Sequence, residues 1–180
     1  MEWVFDTAHS NADFSVRHMM ISTVRGGFKD VSGKLNFDPQ NPATSFVEAT
    51  IKTGTVWTGI NDRDNHLRSA DFFDSANFPD ITFKSTKVEV VNPTHAKVTG
   101  DLTIRGTTKS VVLDVEFIGE QKNPFTGKAS VGFSATTTIN REDFGLTWNV
   151  ALEAGGWLVG KEIKVSLDVE AVGVEETATA

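Results

Sequence analysis

The stretch "IKVSLDVEA", Ile163–Ala171, decides how the rest of the chain is read. Ile163, Val165, Leu167, Val169 and Ala171 alternate with Lys164, Ser166, Asp168 and Glu170. A period of two puts every apolar side chain on one face of a strand and every polar one on the other. The same period runs through "SVVLDVEFIG", Ser110–Gly119, where Val111, Leu113, Val115 and Phe117 oppose Asp114 and Glu116.

Weaker copies occur along the chain. "SFVEATIKT", Ser45–Thr53, offers Val47, Ala49 and Ile51 to one face. "ITFKSTKVEVV", Ile81–Val91, begins with Ile81 and Phe83, then changes parity to Val88 and Val90, which predicts a bulge near Ser85–Lys87. His95–Gly106 gives Ala96, Val98, Leu102 and Ile104; Ala129–Ile139 gives Val131, Phe133, Ala135 and Ile139. Two more strands are expected, one over Asn11–His18 and a long one across Arg25–Phe37. Turns separate them: "DPQNP" at Asp38–Pro42, "NPTH" at Asn92–His95, "RGTT" at Arg105–Thr108 and "NPFTG" at Asn123–Gly127. About eight strands at this spacing predict an antiparallel barrel or sandwich.

Composition narrows the function classes. A chain of 180 residues fits one domain, expected over 1–174 with a frayed tail at 175–180. With no cysteine there is no disulfide, thiolate nucleophile or zinc–sulfur site. A net charge of -7 repels phosphate backbones and anionic membranes, so nucleic acid is not an expected partner. Thirteen Phe and four Trp against no Tyr suit a greasy interior better than a polar cleft. No apolar run reaches the roughly 20 residues of a membrane span. "MEWVFDTAHS" has no basic stretch followed by an apolar segment, so the chain as it stands is expected in the cytoplasm. A periplasmic home would follow if a signal peptide had been removed.

One polar stretch interrupts the strands: "NDRDNHLRSADFFD", Asn61–Asp74. Asn61 can cap a short helix, with Asp64 as a capping-box partner, and Asp62 and Asp64 suit the positive end of its dipole. Asp64 with Arg68, and Asp62 with His66, share faces at a spacing of four. Leu67 and Ala70 then pack inward, ahead of a loop bearing Phe72, Phe73 and Phe78.

Reactive chemistry is harder to find. His9, His18, His66 and His95 form no pair at metal-ligand spacing, so no metal site is expected. Asp62–Arg68 fails as a calcium loop because Leu67 stands where glycine is needed. There is no Gly-x-Ser-x-Gly elbow. A carboxylate pair could come from Asp62, Asp64, Asp71 and Asp74, but sequence does not fix its geometry. "RGGF" at Arg25–Phe28 and "EAGGWLVG" at Glu153–Gly160 read as bulges or turns, not phosphate loops. "HMMISTV", His18–Val24, and "LTWNVALEAGGWLVG", Leu146–Gly160, are greasy connections, the second able to close a barrel end. An eight-stranded barrel can fill its interior with side chains or hold one small ligand, and periodicity does not choose.

Several ordered segments resemble the YceI-like family, the polyisoprenoid-binding, lipocalin-like proteins. They are "FDTAHSNADFSVRHMMISTVRGGF" from Phe5, "RDNHLRSADFFDSANFPDITF" from Arg63, "GDLTIRGTTKSVVL" from Gly100, "INREDFGLTW" from Ile139 and "LVGKEIKVSLDVEA" from Leu158. Relatives commonly carry proline where this chain has Ser110, and many have a secretion signal. The resemblance implies an all-β fold, an extended eight-stranded antiparallel lipocalin-like barrel with short helical connections. It further implies a homodimer, no required cofactor, and a tunnel holding a long isoprenoid, an isoprenoid quinone or a related amphiphilic lipid. No catalytic activity is established for the family.

The leading expectation is a non-enzymatic carrier or store for such a lipid. Strand parity places the tail against Phe14, Val16, Met19, Met20, Ile21, Val47, Ala49, Ile51, Phe83, Leu102, Ile104, Phe117, Phe133 and Ala135. Trp148, Leu152, Trp157 and Leu158 are expected to wall the other end, with Phe72 and Phe73 closing or lining one mouth. The competing readings are an enzyme with Asp64, His66 and Asp71 as acid/base groups, and a barrel with a filled interior.

Overall fold

A computed structural model describes residues 1–175. Eleven strands form one antiparallel sheet that closes on itself. Five are long and continuous: β7 (Asp80–Asn92), β8 (His95–Ile104), β9 (Thr107–Lys122), β10 (Ala129–Asn140) and β11 (Glu162–Gly173). Each pairs with the one before it in that series. The other six are short: β1 (Glu2–Phe5), β2 (Asn11–His18), β3 (Ser22–Phe28), β4 (Val31–Asn36), β5 (Phe46–Lys52) and β6 (Val56–Trp57).

The short strands are three kinked staves. β1 and β2 both lie along β11, on Ala171–Gly173 and Lys164–Asp168 respectively. β3 then pairs with β2 and β6, while β4 pairs with β1 and β5. Contact of β5 with β7 completes an eight-stave barrel. The expected single strand across Arg25–Phe37 is therefore broken at Lys29–Asp30. The physical reason is the turn at 52–55: the amides of Lys29 and Asp30 donate to the carbonyl and Oγ1 of Thr55, and Lys52 N–H donates to Asp30 O. These bonds replace ladder pairing at the kink. β1, at four residues, is too short to display a period and was not legible.

The bulge expected near Ser85–Lys87 is present: the β7–β8 register slips between those residues. Ser85 keeps the inward parity of Ile81 and Phe83, and its buried Oγ accepts the Val47 amide at 2.9 Å; the parity changes after it. The core is the inward set of every stave. Trp3, Phe5, Val31, Leu35, Phe37, Val131 and Ala171 pack together, and Trp3 Nε1 donates to Phe37 O at 3.1 Å. Gly33 permits this packing, because a Cβ there would strike both Glu48 O and the Phe5 ring.

The polar stretch forms the single α-helix among the described residues, α1 (Asn61–Arg68). Its capping differs from expectation. The N-cap is Ile60, with no side-chain cap, and Asn61 is the first helical residue. The Asp64 carboxylate instead reaches back before the helix and accepts the Thr58 amide at 2.8 Å and Thr58 Oγ1 at 2.5 Å. Arg68 reaches Asn65 Oδ1 and the Val56 carbonyl, not Asp64, and His66 meets Asp71, not Asp62. The expected tail falls outside the described residues from 176 onward.

Candidate functional site

The barrel interior holds two apolar cavities, of about 280 Å³ and 290 Å³. They share Ile51, Ile81, Leu102 and Val165, which therefore lie between them. The first chamber lies between β4, β5, β7, β8, β9, β10 and β11 and reaches the turns at 39–46 and 92–96. The second is bounded by β2, β3, α1, the loop through Phe72 and Phe73, and the segment after β10. Alternation creates both: each stave sends every second side chain to the axis, and those positions are overwhelmingly aliphatic or phenylalanine.

Strand-parity residues fall where the pleat sends them. Val47, Ala49, Ile51, Phe83, Leu102, Phe117, Phe133 and Ala135 line the first chamber. Phe14, Val16, Phe72, Phe73, Ile104, Trp148 and Leu158 line the second. Five other expected lining residues lie outside both. Met19, Met20 and Ile21 form the turn of the β2–β3 hairpin, past the His18–Ser22 pair, and Ile21 is 81% exposed. Leu152 and Trp157 sit in a small hairpin closed by the Ala151–Trp157 bridge, which turns away from the cavity. Only the stems of that segment, at Leu146–Trp148 and Leu158–Val159, touch it.

Other lining residues were on the right strand face but not singled out, including Leu113, Val115, Val165 and Leu167. Arg141 carried no sequence signal. It follows directly after β10, is 4% exposed and donates only to backbone carbonyls: Gly160 from Nε, Leu146 and Trp148 from Nη1, and Val159 from Nη2. Its guanidinium faces the Phe72 ring at 6.0 Å. Burial pulls its pKa down, against a smaller upward pull from Glu142. Arg141 thus pins both stems of the 146–160 segment over one barrel end.

The helix borders the same end. The His66 ring stands edge-on to Trp148 at 4.6 Å and to Phe72 at 5.0 Å, and its Nε2 meets Asp71 Oδ2 at 2.9 Å. Arg63 donates from Nε to Thr58 Oγ1 and from Nη2 to Thr58 O. Of the three acid/base candidates, His66 and Asp71 therefore meet, whereas Asp64 is buried and committed to Thr58. The described hydrogen bonds place no hydroxyl on the His66 ring that could serve as a nucleophile.

On the outer wall, the fold gathers one histidine that local spacing left alone. Asp6, His9 and Glu170 each offer a ligand atom within 4.8 Å of the others. The His9 Nδ1 to Asp6 Oδ2 contact at 2.8 Å raises the His9 pKa and lowers that of Asp6. A raised pKa works against metal binding, which needs the neutral ring.

A closed antiparallel barrel of eight staves around apolar cavities is a lipocalin-like architecture. The chain belongs to the YceI-like domain family, whose pattern it matches over residues 3–171. It is 41% identical over 168 residues to a UPF0312 protein of Staphylococcus aureus strain N315, covering 93% of this chain and 95% of that one. The crystal structure of the Campylobacter jejuni YceI protein superposes with a TM-score of 0.73 at 37% identity, over 88% of this chain and 90% of that one. A structure described as a polyisoprenoid binding domain from Saccharophagus degradans shares the fold, with a TM-score of 0.70 at 15% identity over 96% and 98% of the two chains.

Proposed function

We propose that this protein binds a long-chain isoprenoid or related amphiphilic lipid, of polyprenyl or quinone type, inside the tunnel, and carries or stores it without chemical change. One observation carries the reading: the interior holds two adjacent apolar cavities rather than a filled core. Each buried methylene-sized unit of a tail contributes about 0.8 kcal/mol before the cost of ordering. A tail long enough to occupy both chambers could bind tightly with few polar contacts. Membership of the YceI-like family supports the reading, as does the description of the Saccharophagus neighbour as a polyisoprenoid binding domain. The same chambers weigh against a barrel with a filled interior. The reading requires no metal or cofactor.

The test is extraction. Protein purified without detergent is extracted with organic solvent, and the extract is analysed by mass spectrometry. The delipidated protein is then offered prenyl alcohols and quinones. A co-purified or stoichiometrically loaded prenyl lipid is expected; a tunnel that neither yields nor takes up any such lipid would sink the reading.

A further inference from the structure

Two hairpins meet beside the second chamber and present apolar side chains to water. Met19, Met20 and Ile21 form one tip, and Val150 and Trp157 belong to the other. All five are exposed, Met20 at 64% and Trp157 at 50%. The hairpins are joined: the Met19 amide donates to Leu158 O, the Gly160 amide donates to Arg17 O, and His18 bridges to Val159. Gly156, itself at positive φ, leaves room for the Met20 sulfur, which a Cβ there would strike. His18, Leu158 and Val159 also line the second chamber, so the apolar patch is continuous with the chamber wall.

The turn that carries the methionines is strained. Met19 has φ 50° and Met20 φ 64°, and the Ile21 amide closes the turn on His18 O at 3.2 Å. Two central residues at positive φ are what Asn-Gly supplies at least cost; a large side chain there crowds the neighbouring carbonyl. Of the four described non-glycine residues with positive φ, these two are the consecutive pair. Strain kept in order to hold two large apolar side chains in water points to a function for them. Charge says what kind of surface they meet. Residues 18–24 and 146–160 carry one formal charge, Glu153, in a chain with 17 basic and 24 acidic residues. The charges that flank these segments balance, with Arg17, Arg25 and Lys161 against Glu142, Asp143 and Glu162. An uncharged tip on a chain of net charge -7 matches a neutral interface, whereas an anionic one would repel the chain. Resting on the lipid-tunnel reading, we infer that this double hairpin docks the protein on the surface of a neutral lipid bilayer, with the second chamber toward the membrane that supplies or receives its lipid. Met19, Met20 and Ile21 enter the interface, where methionine adapts to irregular acyl packing, and Trp157 takes its polar boundary.

The experiment is flotation of the full chain with phosphatidylcholine vesicles and with vesicles enriched in phosphatidylserine. Wild type is expected to float with phosphatidylcholine equally at low and high salt, and to gain nothing from phosphatidylserine. Replacing the strained pair by Asn-Gly, Met19→Asn with Met20→Gly, should lower vesicle binding by about tenfold or more, because two apolar side chains no longer enter the interface. The melting temperature of this variant should hold or rise as the strain is relieved. Ile21→Ser leaves the strained pair in place and should weaken vesicle binding as well. Uptake of geranylgeraniol added from ethanol without vesicles should be unchanged in both variants, since none of the three residues lines a chamber. A wild type that does not float with phosphatidylcholine overturns the inference and leaves the tunnel reading standing. Equal vesicle binding by wild type and the folded variants overturns it, as does binding that requires phosphatidylserine. A loss of uptake without vesicles in the folded variants would place the tip in the tunnel and also overturn it. A dimeric wild type and a monomeric Asn-Gly variant, neither of them floating, would assign the patch to a second copy of this chain instead. Flotation of wild type without any uptake of geranylgeraniol would count against the tunnel reading alone.

Discussion

Nη1 of Arg141, a residue only 4% exposed, donates to the carbonyl of Leu146 at 2.6 Å. The same guanidinium holds Trp148, Val159 and Gly160, so one side chain organises both stems of the 146–160 segment. Truncation to Arg141→Ala would leave several buried carbonyls without donors, each worth about 1–3 kcal/mol. Chemical denaturation should register a loss of roughly 3 kcal/mol or more, and hydrogen exchange should show the segment opening. Arg141→Lys should recover only part, because one ammonium cannot span carbonyls that a planar fork reaches together. A melt unchanged by Arg141→Ala would mean the segment is held by packing alone.

Phe72 and Phe73 are neighbours in sequence but serve different walls. Phe72 is 6% exposed and packs against His66, Trp148 and the Arg141 guanidinium. Phe73 is half-buried and meets Phe28 edge-on at 5.4 Å. Phe72→Ala is expected to cost about 3–5 kcal/mol, with Phe73→Ala costing clearly less. Lipid loading, measured by mass spectrometry of the folded variants, should fall in both, since both side chains line the second chamber. Equal stability losses would contradict the packing described.

The Asp6–His9 contact gives a pH prediction. The hydrogen bond with Asp6 raises the His9 pKa, and its partner's pKa falls chiefly through the same bond. The signs are opposite. The His9 contribution is fully present below its unfolded value of 6.5 and is lost as pH rises through the raised folded value. The Asp6 contribution is present above its unfolded value of 3.8 and is lost as pH falls through the depressed folded value. The pair therefore holds between those limits, and as a solvent-exposed pair it adds little stability. An NMR titration of the His9 ring should give a midpoint above 6.5 that drops in Asp6→Asn. A wild-type midpoint at or below the ordinary value would show the contact is not maintained in solution.

The barrel was legible because its staves are long enough to display a period. β9, β10 and β11 run 16, 12 and 12 residues, and their alternation alone assigns Phe117, Ala135 and Leu167 to the inside. Even the Ser85 bulge was written as a change of parity. Where the chain leaves the pleat, apolar composition stopped predicting direction. Met19, Met20, Trp157 and Leu152 are as greasy as the true lining, but hairpin turns carry them away from both chambers. Arg141 was invisible for a related reason: its partners are carbonyls of residues 146–160, and a backbone acceptor has no sequence signature. The helix cap misled because Asp64 sits at a capping-box spacing from Asn61, yet its carboxylate finds the Thr58 amide, freed where the chain turns into α1.

The tunnel itself is tested at Ala135. This small side chain lies mid-strand in β10, opposite Val115 on β9 and Leu167 on β11, and lines the first chamber with Ala49 and Phe83. Its neighbours are apolar, so Ala135→Trp introduces bulk without an unmatched polar contact beyond one indole N–H. Overpacking of a filled core costs about 1–3 kcal/mol, whereas here open volume is available to receive the ring. The variant is expected to stay folded by circular dichroism and to lose most of its capacity for a long prenyl lipid. A short prenyl lipid that fits the second chamber alone should still bind, because Ile51 and Leu102, shared by both chambers, lie between it and the obstruction. Full loading with a long lipid in folded Ala135→Trp would mean that the tail does not use the first chamber.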